Sequence, residues 1–331
     1  MSAKYHVYGI GNALVDIEFR VSPQFLDQHN VKKGVMTLVD EETQFELINA
    51  INKAETVQKP GGSAANTMMA ISQLGGNGFY SCKVANDPFG DEYLKNMKDA
   101  GIDTNFINQQ QPDGITGKCL VMVTDDADRT MNTFLGITAT LSTSQIDEQA
   151  IAQSEYVYLE GYLVTSDSGF EALKKTKTLA DQHDVKTALT LSDPSIVEGF
   201  EERFKQIIGK KVDLLFCNEE EAKMFTGHDD LSEAREAIKK IAHKFVITQG
   251  PNGALIFDGD TFIDIEPYEV SAVDTNGAGD IFAGAFLYGI TNGMGYAGAG
   301  KLASLAGSEV VGQYGPRLKK HEMQQLLEQI G

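Results

Sequence analysis

The sequence predicts a doubly wound, mostly parallel α/β fold with helices on both faces of the sheet and a small second β-sheet beside it. Three observations carry that expectation. First, short β-branched or aromatic runs alternate with amphipathic stretches of helical period. Residues 156–159, 170–180 and 187–191 form one such unit, and 213–217, 219–225 and 245–247 continue the rhythm. Strand, helix, strand in that order calls for parallel pairing through crossover helices. Second, Val15, Ile17, Phe19 and Val21 alternate with Asp16, Glu18 and Arg20, the period of a half-exposed strand. Residues 118–124 and 129–135 make a strand-like pair across the polar turn 125–128. Neither region is followed by a crossover helix, so both are assigned to the small accessory sheet. Third, no repeat, low-complexity tract or long linker interrupts the chain. Residues 1–331 are read as a single domain, with accessory segments at about 12–39 and 116–136.

Composition fits this picture. At 331 residues, a compact chain buries about 75% of its unfolded surface, so a large core needs no covalent staples. A hydrophobic content of 42% and a charged content of 23% are those of an ordinary soluble globular protein. The net charge of −19 argues against a nucleic-acid partner, because phosphate backbones need a basic face. It leaves room for a single nucleotide, which backbone N–H groups, a helix N-terminus and a magnesium ion can hold. Cys82, Cys119 and Cys217 are far apart and show no metal-ligand spacing, so neither a disulfide framework nor a zinc site is expected. The first residues lack the apolar run of a secretory signal. The longest weakly polar stretch, 278–290, is too short and glycine-rich to span a bilayer. No membrane association is expected, and the predicted location is cytoplasmic.

Two glycine motifs fail on context. Gly9-Ile10-Gly11-Asn12-Ala13-Leu14 begins like a dinucleotide fingerprint, but Leu14 stands at the third glycine and a period-two segment follows in place of a helix. Gly295 to Lys301 falls one residue short of a Walker A loop. Leu302 replaces its Ser/Thr, and no strand precedes it. A tightly packed helix explains those small residues more simply.

Three segments remain. Pro60-Gly61-Gly62-Ser63-Ala64-Ala65-Asn66 is a turn running into a helix that ends at Leu74, with Gly75-Gly76 as the stop. Ser63 is the expected N-cap. Beyond a plain helix start, the glycines would let backbone approach a ligand, and Asn66 would offer amide donors and acceptors. Asn218-Glu219-Glu220-Glu221 has the spacing of a capping box, which alone accounts for it. It also follows a strand end, where open α/β sheets bind ligands, and a carboxylate there could hold hydrated magnesium.

Asp274-Thr275-Asn276-Gly277-Ala278-Gly279-Asp280 is the most informative segment. Its glycines leave an anion free to meet the first N–H groups of the helix running to about Ile290. Asp280 falls in the first turn, where it would repel the anion that the helix end attracts. That conflict resolves if Asp280 receives a proton from an acceptor hydroxyl late in a loose phosphoryl-transfer transition state.

This Asp-Thr-Asn-Gly-Ala-Gly-Asp motif resembles the signature of the ribokinase-like, or PfkB-type, carbohydrate kinases, and the resemblance extends over nearly the whole chain. It implies a ribokinase-like fold with a substrate-covering lid, and transfer of the γ-phosphate of ATP to an alcohol. Asp280 becomes the base and the Gly277, Ala278 and Gly279 backbone the anion hole. Asn12, Asp16, Gly61, Gly62, Ser63, Asn66, Cys119, Leu135 and Tyr162 become the acceptor site. The N-x-x-E element supplies Asn218 and Glu221 on the ATP side, with Glu221 holding Mg2+ through water. Thr248, Gly250 and Gly253 come from the ATP-lining segment Thr248-Gln249-Gly250-Pro251-Asn252-Gly253. Asp274, with backbone near 308–315, resembles a monovalent-cation (K+) loop, and Arg129 resembles a lid arginine that reaches the phosphates.

Within the family, Gly11-Asn12-Ala13-Leu14-Val15-Asp16-Ile17 is similar to the opening of the adenosine kinase branch, with Ala13 in place of proline. Ala64-Ala65 departs from the Thr-Gln pair of eukaryotic members. The acceptor expected is therefore the 5′-hydroxyl of a purine nucleoside, adenosine first, as in purine salvage. A sugar of the fructokinase or ribokinase type is the alternative, and a non-catalytic nucleoside sensor the third. The expected assembly is a monomer or a lid-mediated homodimer.

Overall fold

Strands that are apolar on both sides need cover on both faces. In the computed structural model, which describes residues 3–51, 56–125 and 129–330 and leaves out the side chains of Val57 and Arg129, the larger sheet receives it. Its strands are β1 (Tyr5–Ile10), β5 (Gly78–Ser81), β6 (Asp103–Thr104), β9 (Ser154–Leu159), β10 (Lys186–Thr190), β11 (Val212–Asn218), β12 (Ala242–Thr248), β13 (Ala254–Phe257) and β14 (Phe262–Ile265). They lie in the order β14-β13-β12-β11-β10-β9-β1-β5-β6. Pairing is parallel from β6 through β12, and β13 and β14 close the edge as antiparallel strands.

The period of two sorts side chains into two cores. Tyr156 and Tyr158 of β9 pack in one, with Met68, Phe286 and Leu302 from the helices Ser63–Leu74, Ala278–Thr291 and Gly295–Val311. Val157 and Leu159 pack in the other, with Phe170, Phe204 and Phe225 from the helices Asp167–Gln182, Pro194–Ile208 and Glu219–Thr226. The strand, helix, strand units expected from the sequence are all present. So is the explanation of the Walker-like segment as packing, since a Cβ on Gly300 would lie 2.5 Å from the Ile256 side chain.

The smaller sheet has β2 (Leu14–Arg20), β3 (Met36–Leu38), β4 (Val57–Gly61), β7 (Thr116–Val123) and β8 (Arg129–Gly136), in the order β3-β8-β7-β2-β4. The sequence pattern did not indicate β4. Its residues, Val-Gln-Lys-Pro-Gly, carry too little β-propensity to announce a strand, and pairing with β2 supplies the order. One face of this sheet buries Ile17, Phe19, Leu120 and Met122 under Leu26 and Leu47 of the helices Pro23–Gln28 and Glu41–Ala50. The opposite face presents Cys119, Val121 and Met131 toward the main sheet's cavity. The three cysteines are buried, and no disulfide joins them. Among the described residues, no helix is long and apolar enough to cross a membrane.

The chain runs from β1 to β5 on one side and later from β9 to β10 on the other. At such a reversal the loops leaving adjacent strands part, and a crevice opens beyond the C-terminal strand ends.

Candidate active site

A cavity of about 360 Å³ occupies that crevice. Asn12 follows β1, Glu160 follows β9, Thr190 and Ser192 lie at the end of β10, Asn218 ends β11 and Thr248 ends β12, and all line it. The small sheet closes one side with Leu14, Asp16, Met36, Leu38, Cys119, Val121 and Leu135. The start of the helix Ala278–Thr291 reaches it through Gly277, Gly279 and Asp280.

That helix start is left open by its sequence. Gly277 sits at the N-cap with φ +75°, no side chain caps the end, and a Cβ on Gly277 would meet Pro316 at 2.4 Å. Above Gly279 there is open space. Donors and partial positive charge therefore face the cavity. Ala278 turns its N–H to the Thr275 carbonyl at 3.3 Å and is not part of the cavity wall.

Asp280 is half-buried and held from a distant segment. Its Oδ1 accepts from Ser63 Oγ at 2.6 Å and its Oδ2 from Asn66 Nδ2 at 2.9 Å. Burial pushes its carboxyl above the ordinary value, and the Ser63 and Asn66 bonds and the Arg317 guanidinium pull the other way. These bonds also revise the expected helix cap. Gly62, at φ +98°, is the N-cap of Ser63–Leu74, and no side chain bonds there. The Ser63 hydroxyl is oriented to Asp280 and not to its own backbone, because an ionised acceptor makes the stronger bond. Gly61 and Gly62 permit a close approach, but to the chain itself. A Cβ on Gly61 would fall 2.2 Å from the Asp16 carboxylate, and one on Gly62 would fall 2.3 Å from the Asn12 carbonyl.

On the opposite wall the capping box is complete. Asn218 Oδ1 accepts from Glu221 N at 2.8 Å, and Glu221 accepts from Asn218 N at 3.0 Å and Nδ2 at 2.8 Å. Burial pushes the Glu221 carboxyl up to about 7.

The cavity brings together Asn12, Asp16, Gly62, Ser63, Asn66, Cys119, Leu135, Tyr162, Asn218, Glu221, Thr248, Gly277, Gly279 and Asp280. Gly61, Gly250, Gly253 and Asp274 lie outside its wall. Gly250 and Gly253 shape the β12–β13 turn, where Gln249 N donates to the Gly253 carbonyl at 2.8 Å. Asp274 is buried, and its oxygens accept from Asn276 N at 2.8 Å and Gly315 N at 2.7 Å. The backbone of Arg129 opens β8, and its side chain lies outside the described residues.

Sequence reasoning missed Glu160 and Arg317. Glu160 is 1% exposed. It accepts from Asn12 N at 3.0 Å, Asn12 Nδ2 at 3.1 Å and Ala64 N at 2.8 Å, yet burial pushes its carboxyl up to about 7. A signal existed, since an acid directly after an apolar strand sits where open sheets bind ligands. Arg317 had none, because it acquires its partners only through the tertiary fold.

A helix end that draws phosphoryl oxygens, with a carboxylate one turn in that can take a proton from a hydroxyl, defines a phosphotransferase with an alcohol as acceptor. The chain belongs to the pfkB family of carbohydrate kinases, which it matches over residues 31–323. It is a nucleoside or sugar kinase. It is 32% identical to a probable sugar kinase from Rhizobium etli CFN 42, covering 99% of this chain and 98% of that one with a TM-score of 0.91. It is 31% identical to an adenosine kinase from Sinorhizobium meliloti, covering 99% and 100%, again with a TM-score of 0.91. The adenosine kinase of Dictyostelium discoideum is 28% identical over 334 residues, covering 94% of this chain and 96% of that protein.

Proposed function

We propose that the protein transfers the γ-phosphoryl group of ATP to the 5′-hydroxyl of a purine nucleoside, adenosine being the preferred acceptor. The observation that carries this is the placement of Asp280: its carboxylate, held by Ser63 and Asn66, lies in the first turn of an uncapped helix at the cavity wall. The acceptor hydroxyl would lie against Asp280, and the transferring group against the N–H groups at Gly277 and Gly279. Positioning and charge stabilisation then supply most of the acceleration. Burial raises the Asp280 carboxyl, which makes it a better base than a free aspartate.

Asn12 and Asp16 would bind ribose hydroxyls. The apolar lining of Leu14, Met36, Leu38, Val121, Met131 and Leu135, together with Tyr162, has room for a base that a bare sugar would leave unfilled. That lining favours a nucleoside over a sugar. Similarity to the Sinorhizobium meliloti and Dictyostelium discoideum adenosine kinases supports the same choice.

Among the described residues, no three His, Cys, Asp or Glu side chains gather as a metal cage. A hydrated Mg2+ shared between phosphates and one carboxylate fits the residues present, because Glu221 is a buried oxygen donor at the cavity wall. When bound, the ion would offset charge on the phosphate oxygens. A potassium ion near Asp274 would depend on loop carbonyls, since both carboxylate oxygens already accept N–H groups. The small sheet, as a lid, would keep water from the reacting phosphate.

A coupled ADP-release assay with adenosine, inosine, guanosine, ribose and fructose tests the proposal. Adenosine should be turned over fastest. Turnover of fructose with none of adenosine would replace the nucleoside with a sugar, and saturable binding with no ADP from any acceptor would replace the enzyme with a sensor.

A further inference from the structure

We propose that Arg317 is a positioning residue for the transfer: it fixes the side-chain amide of Asn66 in the one orientation that donates to Asp280. This role presupposes Asp280 as the base.

Asn66 is buried in the first turn of the helix Ser63–Leu74. Its amide presents a carbonyl on one side and an NH2 on the other, and half a turn about the terminal bond exchanges them. The asparagine alone does not decide which group faces Asp280. If the carbonyl did, two acceptors would meet and the carboxylate would lose a donor. Arg317 makes the choice. Its Nε donates to Asn66 Oδ1 at 2.7 Å, which turns Nδ2 to Asp280 Oδ2 at 2.9 Å. A guanidinium has no acceptor, so it accepts only the carbonyl side.

The arginine is itself held. Nη1 donates to Asn96 Oδ1 at 3.0 Å, on the helix Pro88–Asp99. Its own carbonyl accepts from Gln313 Nε2 at 3.0 Å, and Gly315, two residues earlier, donates to Asp274 Oδ2 at 2.7 Å. The segment that anchors the loop before the catalytic helix thus also delivers the arginine. Nη2 is buried and finds no partner among the described residues. A lysine would avoid that orphan, but its single nitrogen lacks the planar fork that spans both asparagines.

Charge points the same way. Glu160, at the end of β9, repels Asp280, and the phenols of Tyr158 and Tyr162 also face it. Arg317 is the cation in this group, and it faces Asp16, Tyr80 and Tyr93 as well. The arginine therefore orients a donor to the base and adds positive charge beside it, both of which favour the ionised form.

The test compares wild type with Arg317→Met, Arg317→Lys, Asn66→Ala, the double variant Asn66→Ala/Arg317→Met, and Asp280→Asn. Each is assayed with Mg-ATP and whichever of adenosine, inosine, guanosine, ribose and fructose is turned over fastest, over a pH range that covers the acid limb of kcat/KM. Arg317→Met should lower kcat at least ~10-fold, with KM for ATP essentially unchanged, and should move the acid limb to higher pH. Arg317→Lys keeps the charge but not the fork, so it should return the limb part of the way and recover only part of kcat. On the pH plateau above the acid limb, Asp280 is ionised in every variant and the charge of the arginine no longer matters. There the double variant should be no slower than Asn66→Ala, because the arginine acts through that asparagine. Wild-type kcat or an unmoved acid limb in Arg317→Met overturns the proposal, as do plateau losses that multiply in the double variant. If Arg317→Met does not fold, wild-type kcat in Arg317→Lys overturns it. Near-normal turnover in Asp280→Asn would remove the base itself, whereas an inactive Asp280→Asn beside a normal Arg317→Met condemns only the positioning.

Discussion

Ser63 Oγ donates to Asp280 Oδ1 at 2.6 Å across 217 positions of sequence, so the start of one helix sets the proton affinity of a carboxylate on another. Hydrogen bonds to an ionised group contribute about 1.5–3 kcal/mol. The bond favours the carboxylate, so losing it raises the Asp280 pKa. Activity that needs the ionised form is present above that pKa and lost below it. In Ser63→Ala the acid limb of kcat/KM should move to higher pH, because a donor that holds the carboxylate ionised is lost. An unmoved limb in a folded variant would separate Ser63 from the base.

Asp280→Asn keeps the shape of the side chain and removes its basicity. General-base catalysis contributes about 10²–10⁴-fold, so kcat should fall by that range while KM for the nucleoside stays close to wild type. Steady-state rates across nucleoside concentration separate the two effects. A rate within threefold of wild type would assign the proton to another group.

The sheet was legible because its strands and helices are periodic over long segments, as residues 156–191 illustrate. The candidate catalytic segment was legible because glycines, a helix start and an acid coincide within seven residues. What stayed hidden depends on contacts between distant segments. β4 is ordered by β2. Ser63 looked like a cap because local spacing cannot reveal a stronger acceptor 217 residues away. Arg317 lies in an irregular loop with no motif, and its guanidinium meets Asn66 and Asn96 only in the folded chain.

Asp274 fastens both sides of its loop, accepting from Asn276 N and Gly315 N. Asp274→Ala would leave two N–H groups without these acceptors at about 1–3 kcal/mol each. Denaturant unfolding should therefore show a loss of about 2–6 kcal/mol, together with lower kcat as the glycine turn before Asp280 loosens. Asp274→Asn, which retains one carbonyl acceptor, should fall between. Equal stability of wild type and Asp274→Ala would show that other contacts hold the loop.

Glu160 has a consequence for stability that is separate from catalysis. Its carboxyl rises from an ordinary 4.5 to about 7 in the fold because burial penalises the charge more than the three N–H donors relieve it. A group whose folded pKa lies above its unfolded value stabilises fully below the unfolded pKa, and that stabilisation is lost as pH rises through the folded one. A difference of this size amounts to about 3 kcal/mol, lost between pH ~4.5 and ~7. Glu160→Gln cannot titrate, so its stability should decline less steeply over that window, from a lower starting value because one N–H loses its acceptor. Glu221, also raised to about 7 by burial, contributes the same slope to both proteins and cancels from the comparison. Urea midpoints at half-unit steps of pH give the two curves. Curves that run parallel would mean that Glu160 titrates outside this range, and that the amides of Asn12 and Ala64 hold it ionised even in acid.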